Sequence, residues 1–165
     1  QIAAYLGLPS HGYLCLSDAK VPDMQAGFES GMGAFAAALA PVNVVSGAGM
    51  MNFIGCQSFE KLVFDAEICE AVLKFRRGFE SHDDDLPALF REANAGKGFL
   101  SLKHTRLHYR REVLIPGPAI DRLPQENPLG VRERCAAVVR GCLEKSVTAE
   151  LPKEMAAELR AIIKF

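Results

Sequence analysis

Between His11 and Asp23 the run HGYLCLSDAKVPD places a histidine, a serine, two aspartates and a lysine around a short apolar segment. Residues of these types at this spacing can hold an ion or move a proton. Asp18 and Lys20 are either working groups or an ion pair that steadies a loop. His11 is either a base or ligand, or a histidine that simply hydrogen-bonds beside a strand. Gln25 and Glu29 stand one helical turn apart, facing a shared mouth or lying on an exposed helix face. The turn from Gly47 to Gly49 can cradle a phosphate or carboxylate on backbone N–H groups, or merely permit a tight bend.

Those groups need elements to aim them. Tyr13–Leu16 is short and apolar, as in a strand covered on both faces, and it predicts a first strand near His11 to Leu16. Pro22 suits the first turn of a helix and Asp23 complements the helix dipole, so a helix is predicted from Pro22 to Ala40, closed by Pro41. Its small residues Gly27, Gly31, Ala34 and Ala38 share one face and allow close packing. Val42 to Val45 predicts a second strand, closed by the turn Ser46 to Gly49. From Ser58 to about Phe79 a long helix is predicted, with an apolar face too wide for a lone surface helix. It should lie between the sheet and another body, such as a second subunit. A short helix ends near Asn94, a connector holds Pro116, Pro118, Pro124 and Pro128, and two further helices are expected from Leu129 to Lys145 and from Pro152 to Lys164. Two strand–loop–helix units in series imply a parallel sheet with helical crossovers, and the polar exits of such strands are where chemistry collects.

The strings LPSHGYLCLSDAKVPDMQAGFESG and NVVSGAGMMNFIGCQSFEKLVFDAE resemble the C-terminal half of the trimethylamine methyltransferase family, with a looser likeness in KHTRLHYRREVLIP. The likeness runs from Gly7 to about Pro116. The resemblance implies an α/β fold: the C-terminal part of a TIM (β/α)8 barrel over residues 1–116, with peripheral C-terminal helices over 117–165. It also implies transfer of a methyl group from a methylated amine to the Co(I) of a corrinoid (cobalamin) carried by a cognate partner protein.

The methyl of a quaternary amine already sits on a good neutral leaving group, so the protein need supply no base. It must hold the ammonium, exclude water and align the reacting carbon. On the resemblance, Asp18, Lys20 and His11 are the candidate catalytic residues. Carboxylates and aromatic faces bind ammonium ions, which adds Tyr13, Gln25, Phe28, Glu29 and Phe53 as candidate substrate-binding residues. Gly47 and Gly49 are candidates for holding a corrinoid phosphate or a betaine carboxylate. Family members that act on trimethylamine carry pyrrolysine, whereas only standard residues occur here, so a quaternary amine such as glycine betaine is favoured.

Composition sets the outer bounds. With 165 residues, 49% of them hydrophobic and 24% charged, the chain should form one globular unit with a core. A complete TIM barrel needs about 200 to 250 residues, and the start at Gln1 suggests part of something longer. The rival expectation is therefore a truncated, inactive module for oligomerisation or for binding a corrinoid protein. A net charge of −1 gives no electrostatic case for nucleic acid or an anionic membrane. No apolar run reaches the roughly 18 residues of a membrane span, and no signal peptide is evident, so a cytoplasmic setting is expected. Five cysteines without a C-x-x-C pair read as reduced thiols. No metal site is expected: Asp83–Asp85 beside His82 reads as a helix start. The cluster His104, Arg106, His108, Arg110 and Arg111 reads as a solvated face or a contact for an acidic partner. A partial barrel exposes strand edges and apolar helix faces, so self-association into a homo-oligomer is expected.

Overall fold

A computed structural model describes residues 1–40, 42–96, 98–122, 126, 128–145 and 151–162. One helical turn, α1 (Ile2–Tyr5), is followed by Gly7 in the left-handed region at φ 67°. Then come β1 (His11–Gly12), α2 (Met24–Leu39) and β2 (Val44–Val45). β2 lies parallel to β1, with His11 opposite Val44 and Gly12 opposite Val45. The result is a strand–helix–strand crossover in a mainly helical α/β arrangement.

The first strand is shorter than the apolar run predicts. Cys15 takes φ 60°, which ends the extended ladder, and the Ser17 N–H donates to the Met50 carbonyl at 3.1 Å instead of to a strand partner. Met50 belongs to an antiparallel hairpin that the periodicity does not signal, β3 (Met50–Met51) with β4 (Cys56–Gln57). Two-residue strands are too short to show alternation.

The helices follow their caps. Asp23 caps α2 by accepting from the Ala26 N–H at 3.2 Å, so Pro22 lies before the helix and not in its first turn. Ser58 caps α3 (Phe59–Arg77) through the Lys61 N–H, and Gly78, at φ 69°, ends it. Asp85 caps α4 (Leu86–Ala95) through the Ala88 N–H at 2.9 Å. The basic stretch forms a helix of its own, α5 (Lys103–Glu112). α6 (Val131–Lys145) and α7 (Lys153–Ile162) complete the described chain. The predicted stop at Pro41, Pro124 of the connector and the predicted helix end at Lys164 lie outside the described residues.

α3 is indeed wedged, and the second body is this chain's own α6, with α2 on the other flank. The core between α2 and α3 gathers Cys15, Ala34 and Val72, with Ala38, Ala48, Ile68 and Cys69 around them. Its closest approach is at Gly33, where a Cβ would stand 2.7 Å from the Cys15 backbone nitrogen. Gly31, by contrast, faces open space. The connector docks onto α3 through Gly117, whose N–H donates to Glu67 Oε2 at 2.8 Å.

The accessible surface is 12,894 Å², whereas a compact monomer of this length exposes about 8,000 Å². Large apolar side chains contribute to it, with Met24, Phe28, Phe79 and Leu100 all exposed.

Candidate active site

The two strand exits lie side by side. Parallel pairing of β1 and β2 sends both chains out of the same end, and His11 Nε2 and Ser46 Oγ share a 2.5 Å hydrogen bond across the gap. His11 also meets Tyr13 edge to face, with ring centroids 5.2 Å apart. His11 therefore latches one exit to the other and orients the exposed Tyr13 ring.

Asp18 and Lys20 do not form an ion pair. The Lys20 ammonium donates to the main-chain carbonyl of Asp18 at 2.7 Å and sits 4.8 Å from the centroid of the Phe53 ring. Among the described residues, the half-buried Asp18 carboxylate has no hydrogen-bond or ion-pair partner. It is the free anion of the rim.

Glu29 is the opposite case. Its Oε2 accepts from Ser17 Oγ at 2.6 Å and from the Asp18 N–H at 2.8 Å, while Oε1 accepts from Gln25 Nε2 at 2.8 Å. These donors, the Ser17 hydroxyl foremost, hold its carboxyl below the usual carboxylate range. Gln25 and Glu29 thus act together as a brace that fixes the Ser17–Asp18 loop on α2.

Phe53 is presented by an unusual backbone. Asn52, Phe53 and Ile54 all lie in the left-handed region, at φ 50°, 52° and 61°. That region costs about 1–2 kcal/mol per non-glycine residue. The hairpin tip is held by the Asn52 N–H on the Ala19 carbonyl at 3.2 Å and by the Gly55 N–H on the Asn52 carbonyl at 2.9 Å. Strain of this kind gathers where a side chain must be aimed, and here it aims an exposed aromatic ring at a cation.

Gly47 and Gly49 have structural work. A Cβ on Gly47 would collide with the Leu14 carbonyl, and Gly49 takes φ 81°. The Gly49 N–H donates to Asp65 Oδ2 at 2.7 Å, so it is not free to cradle an anion. Asp65 and its partner Lys61 were not anticipated as site residues. Both are essentially buried, at 0% and 2% exposure, and they pair directly on successive turns of α3. Lys61 Nζ also reaches Ser30 Oγ at 2.7 Å. The signal was present as an i, i+4 charge pair inside a wide apolar stripe.

Phe28 is carried elsewhere. With Gln25, Met24, Phe35, Phe64 and Ile68 it lines a groove of about 890 Å³ between α2, α3 and α6, which Tyr13, Lys20 and Phe53 do not line.

The model of the family described as trimethylamine methyltransferase matches residues 1–164. This chain belongs to that family. A glycine betaine methyltransferase of Desulfitobacterium hafniense is 33% identical over 99% of the chain and 35% of its own length. Trimethylamine methyltransferases of Methanosarcina mazei and Methanosarcina barkeri are 38% and 39% identical over 65% and 64% of the chain, each match covering 22% of the relative. The chain thus spans about a third or less of the trimethylamine methyltransferase family members it matches. No described helix is long and apolar enough to cross a membrane.

Proposed function

We propose that this chain supplies part of the methyl-donor site of a methyltransferase that takes a methyl group from a quaternary amine such as glycine betaine, or from a tertiary one such as trimethylamine. The family match over residues 1–164 carries the reaction class. The parallel exits, the helical crossover and the peripheral α6 and α7 support reading residues 1–116 as the C-terminal part of a TIM barrel, with 117–165 as its outer layer. Chemistry at the shared mouth of such strands fits that architecture.

The substrate's cationic head is proposed to meet the Phe53 ring and the Asp18 carboxylate. The Phe53 face already accepts one ammonium, that of Lys20, and a methylated ammonium would take the same electrostatic position. Lys20 then moves aside, and its charge is placed to meet a substrate carboxylate. Glu29, Gln25 and His11 position the rim and do not touch the reacting atoms; Tyr13 closes one side of it.

The acceptor in this reading is the cobalt of a corrinoid carried by a cognate partner protein. This chain's glycine turn does not fit the holding of that group, because the Gly49 amide is committed to Asp65 and Gly47 is packed against the Leu14 carbonyl. The corrinoid therefore stays with its carrier. The test is to incubate the chain, and any longer product that contains it, with reduced corrinoid protein and a panel of methylated amines. Appearance of the methyl-Co(III) spectrum with betaine is expected, and no turnover with any amine would end the reading.

One observation favours a second reading, an inactive module that works by association. The surface exceeds that of a compact monomer by more than half. Sedimentation of the isolated chain as assemblies, without turnover in any longer product, would select it.

A further inference from the structure

We propose that the loop before α4 and the facing side of α5 bind one divalent transition-metal ion, zinc being the natural occupant, through Glu80, His82 and Glu112. One donor atom from each of the three lies within 4.8 Å of the others. A tetrahedral zinc site wants donors about 3.4 Å apart, and rotation of the exposed Glu80 side chain covers the difference.

The surroundings set this cluster apart from a solvated charge run. Three of the chain's four histidines meet here: the His82 ring packs 4.2 Å from that of His108, which packs 4.6 Å from that of His104. His104, His108 and Glu112 recur every four residues on α5 and so share one face. His104 Nε2 is paired with Asp84 Oδ2 at 3.0 Å, which fixes the ring at the end of the stack. Glu112 Oε1 is buried and has no hydrogen-bond partner among the described residues. With the Arg77 guanidinium at 3.9 Å, outside hydrogen-bond distance, that oxygen keeps its capacity to ligate a metal.

The present counter-ions do not meet that need well. Lys74 Nζ reaches the other oxygen, Oε2, at 3.3 Å, and Arg77 stands 3.9 Å from Oε1. Glu80 is paired with Arg111, both largely exposed, and such a pair is readily exchanged. One imidazole with two carboxylates suits zinc better than calcium, which prefers an all-oxygen shell. The ligand set differs from the Asp83–Asp85 run that the sequence alone brings forward: Asp84 supports His104 and Asp85 caps α4. A bound ion would clasp that loop to α5.

The test is calorimetric titration of metal-free chain with Zn(II), followed by Co(II) substitution. One equivalent should bind, and the cobalt spectrum should show tetrahedral bands without thiolate charge transfer. Glu80→Gln and His82→Ala, both in a loop and chosen to spare the fold, should each weaken binding by more than the about 10- to 100-fold that loss of an outer partner costs. The double variant Cys56→Ser/Cys142→Ser, which removes the two exposed thiols, should bind as the parent does. No saturable binding, unchanged affinity in His82→Ala, or a thiolate band would overturn the proposal.

Discussion

Replacing Lys61 by methionine should cost this protein a large share of its stability, and the magnitude follows from what is left behind. Lys61 and Asp65 are buried together, and Asp65 has only the Gly49 N–H as a further described donor, its Oδ1 having no partner. Breaking a buried pair from one side strands the other charge, at about 3–5 kcal/mol. Against a total of about 5–15 kcal/mol for a typical domain, that is at least about a fifth. Asp65→Leu should cost at least as much, because it strands the ammonium and also the Gly49 N–H. The double variant Lys61→Met/Asp65→Leu removes both charges and leaves no stranded ion, only the Gly49 N–H and the buried Ser30 hydroxyl deprived of these partners, at about 1–3 kcal/mol each. It should therefore be more stable than either single variant. Urea unfolding of the four proteins measures this through shifts in midpoint at constant slope. Costs that simply add, or a Lys61→Met loss under about 1 kcal/mol, would refute the reasoning, since water would then be reaching the pair.

Phe53→Ala removes a cation-binding face worth about 0.5–2 kcal/mol, which is about a 2- to 30-fold rise in KM for a quaternary amine in the corrinoid-coupled assay; melting should hardly change, because the ring is exposed and alanine keeps the Cβ that the left-handed backbone strains against. The Glu29 carboxyl is lowered in the folded state, so its contribution is present above the unfolded value of about 4.3 and is lost as pH falls through the folded one. The stability gap between the parent and Glu29→Gln should accordingly close on acidification, as read by unfolding curves across that range. Cys15 Sγ lies 3.8 Å from Cys69 Sγ; the hydrogen bond between the two thiols lowers Cys69 to about 7, while Cys15 is pushed up by the same bond and by burial. Alkylation of Cys69 should rise with a midpoint near pH 7, and Cys15→Ala should move that midpoint toward the ordinary value of about 8.5.

The sequence made the helices legible because their signals are local. Asp23, Ser58 and Asp85 each occupy a cap position, and the wide apolar face of α3 correctly implied cover on two sides. The strands were harder. Tyr13–Leu16 has a strand's composition, but the left-handed turn at Cys15 depends on packing against Gly33, a contact that local composition cannot reveal. The basic stretch that became α5 has few apolar residues to betray its period. At the candidate site, the residue types left an Asp18–Lys20 ion pair open as one alternative, and the geometry does not form it. Asp18 and Lys20 are close in sequence, yet the ammonium prefers a carbonyl and an aromatic face. Lys61 and Asp65 escaped notice because an i, i+4 pair ordinarily lies in solvent. His82 stands far from His104 and His108 in sequence, and the packing of the 80–84 loop on α5 brings them together.

Gly47 sits so tightly against the Leu14 carbonyl that main chain, together with the His11–Ser46 latch, sets the gauge between the two exits. Tyr13, Lys20 and Phe53 take no part in that spacing. They can consequently be exchanged for other residues while the frame keeps its dimensions, so on the proposed reading substrate range is free to drift, or to be redesigned, without rebuilding the scaffold that presents it.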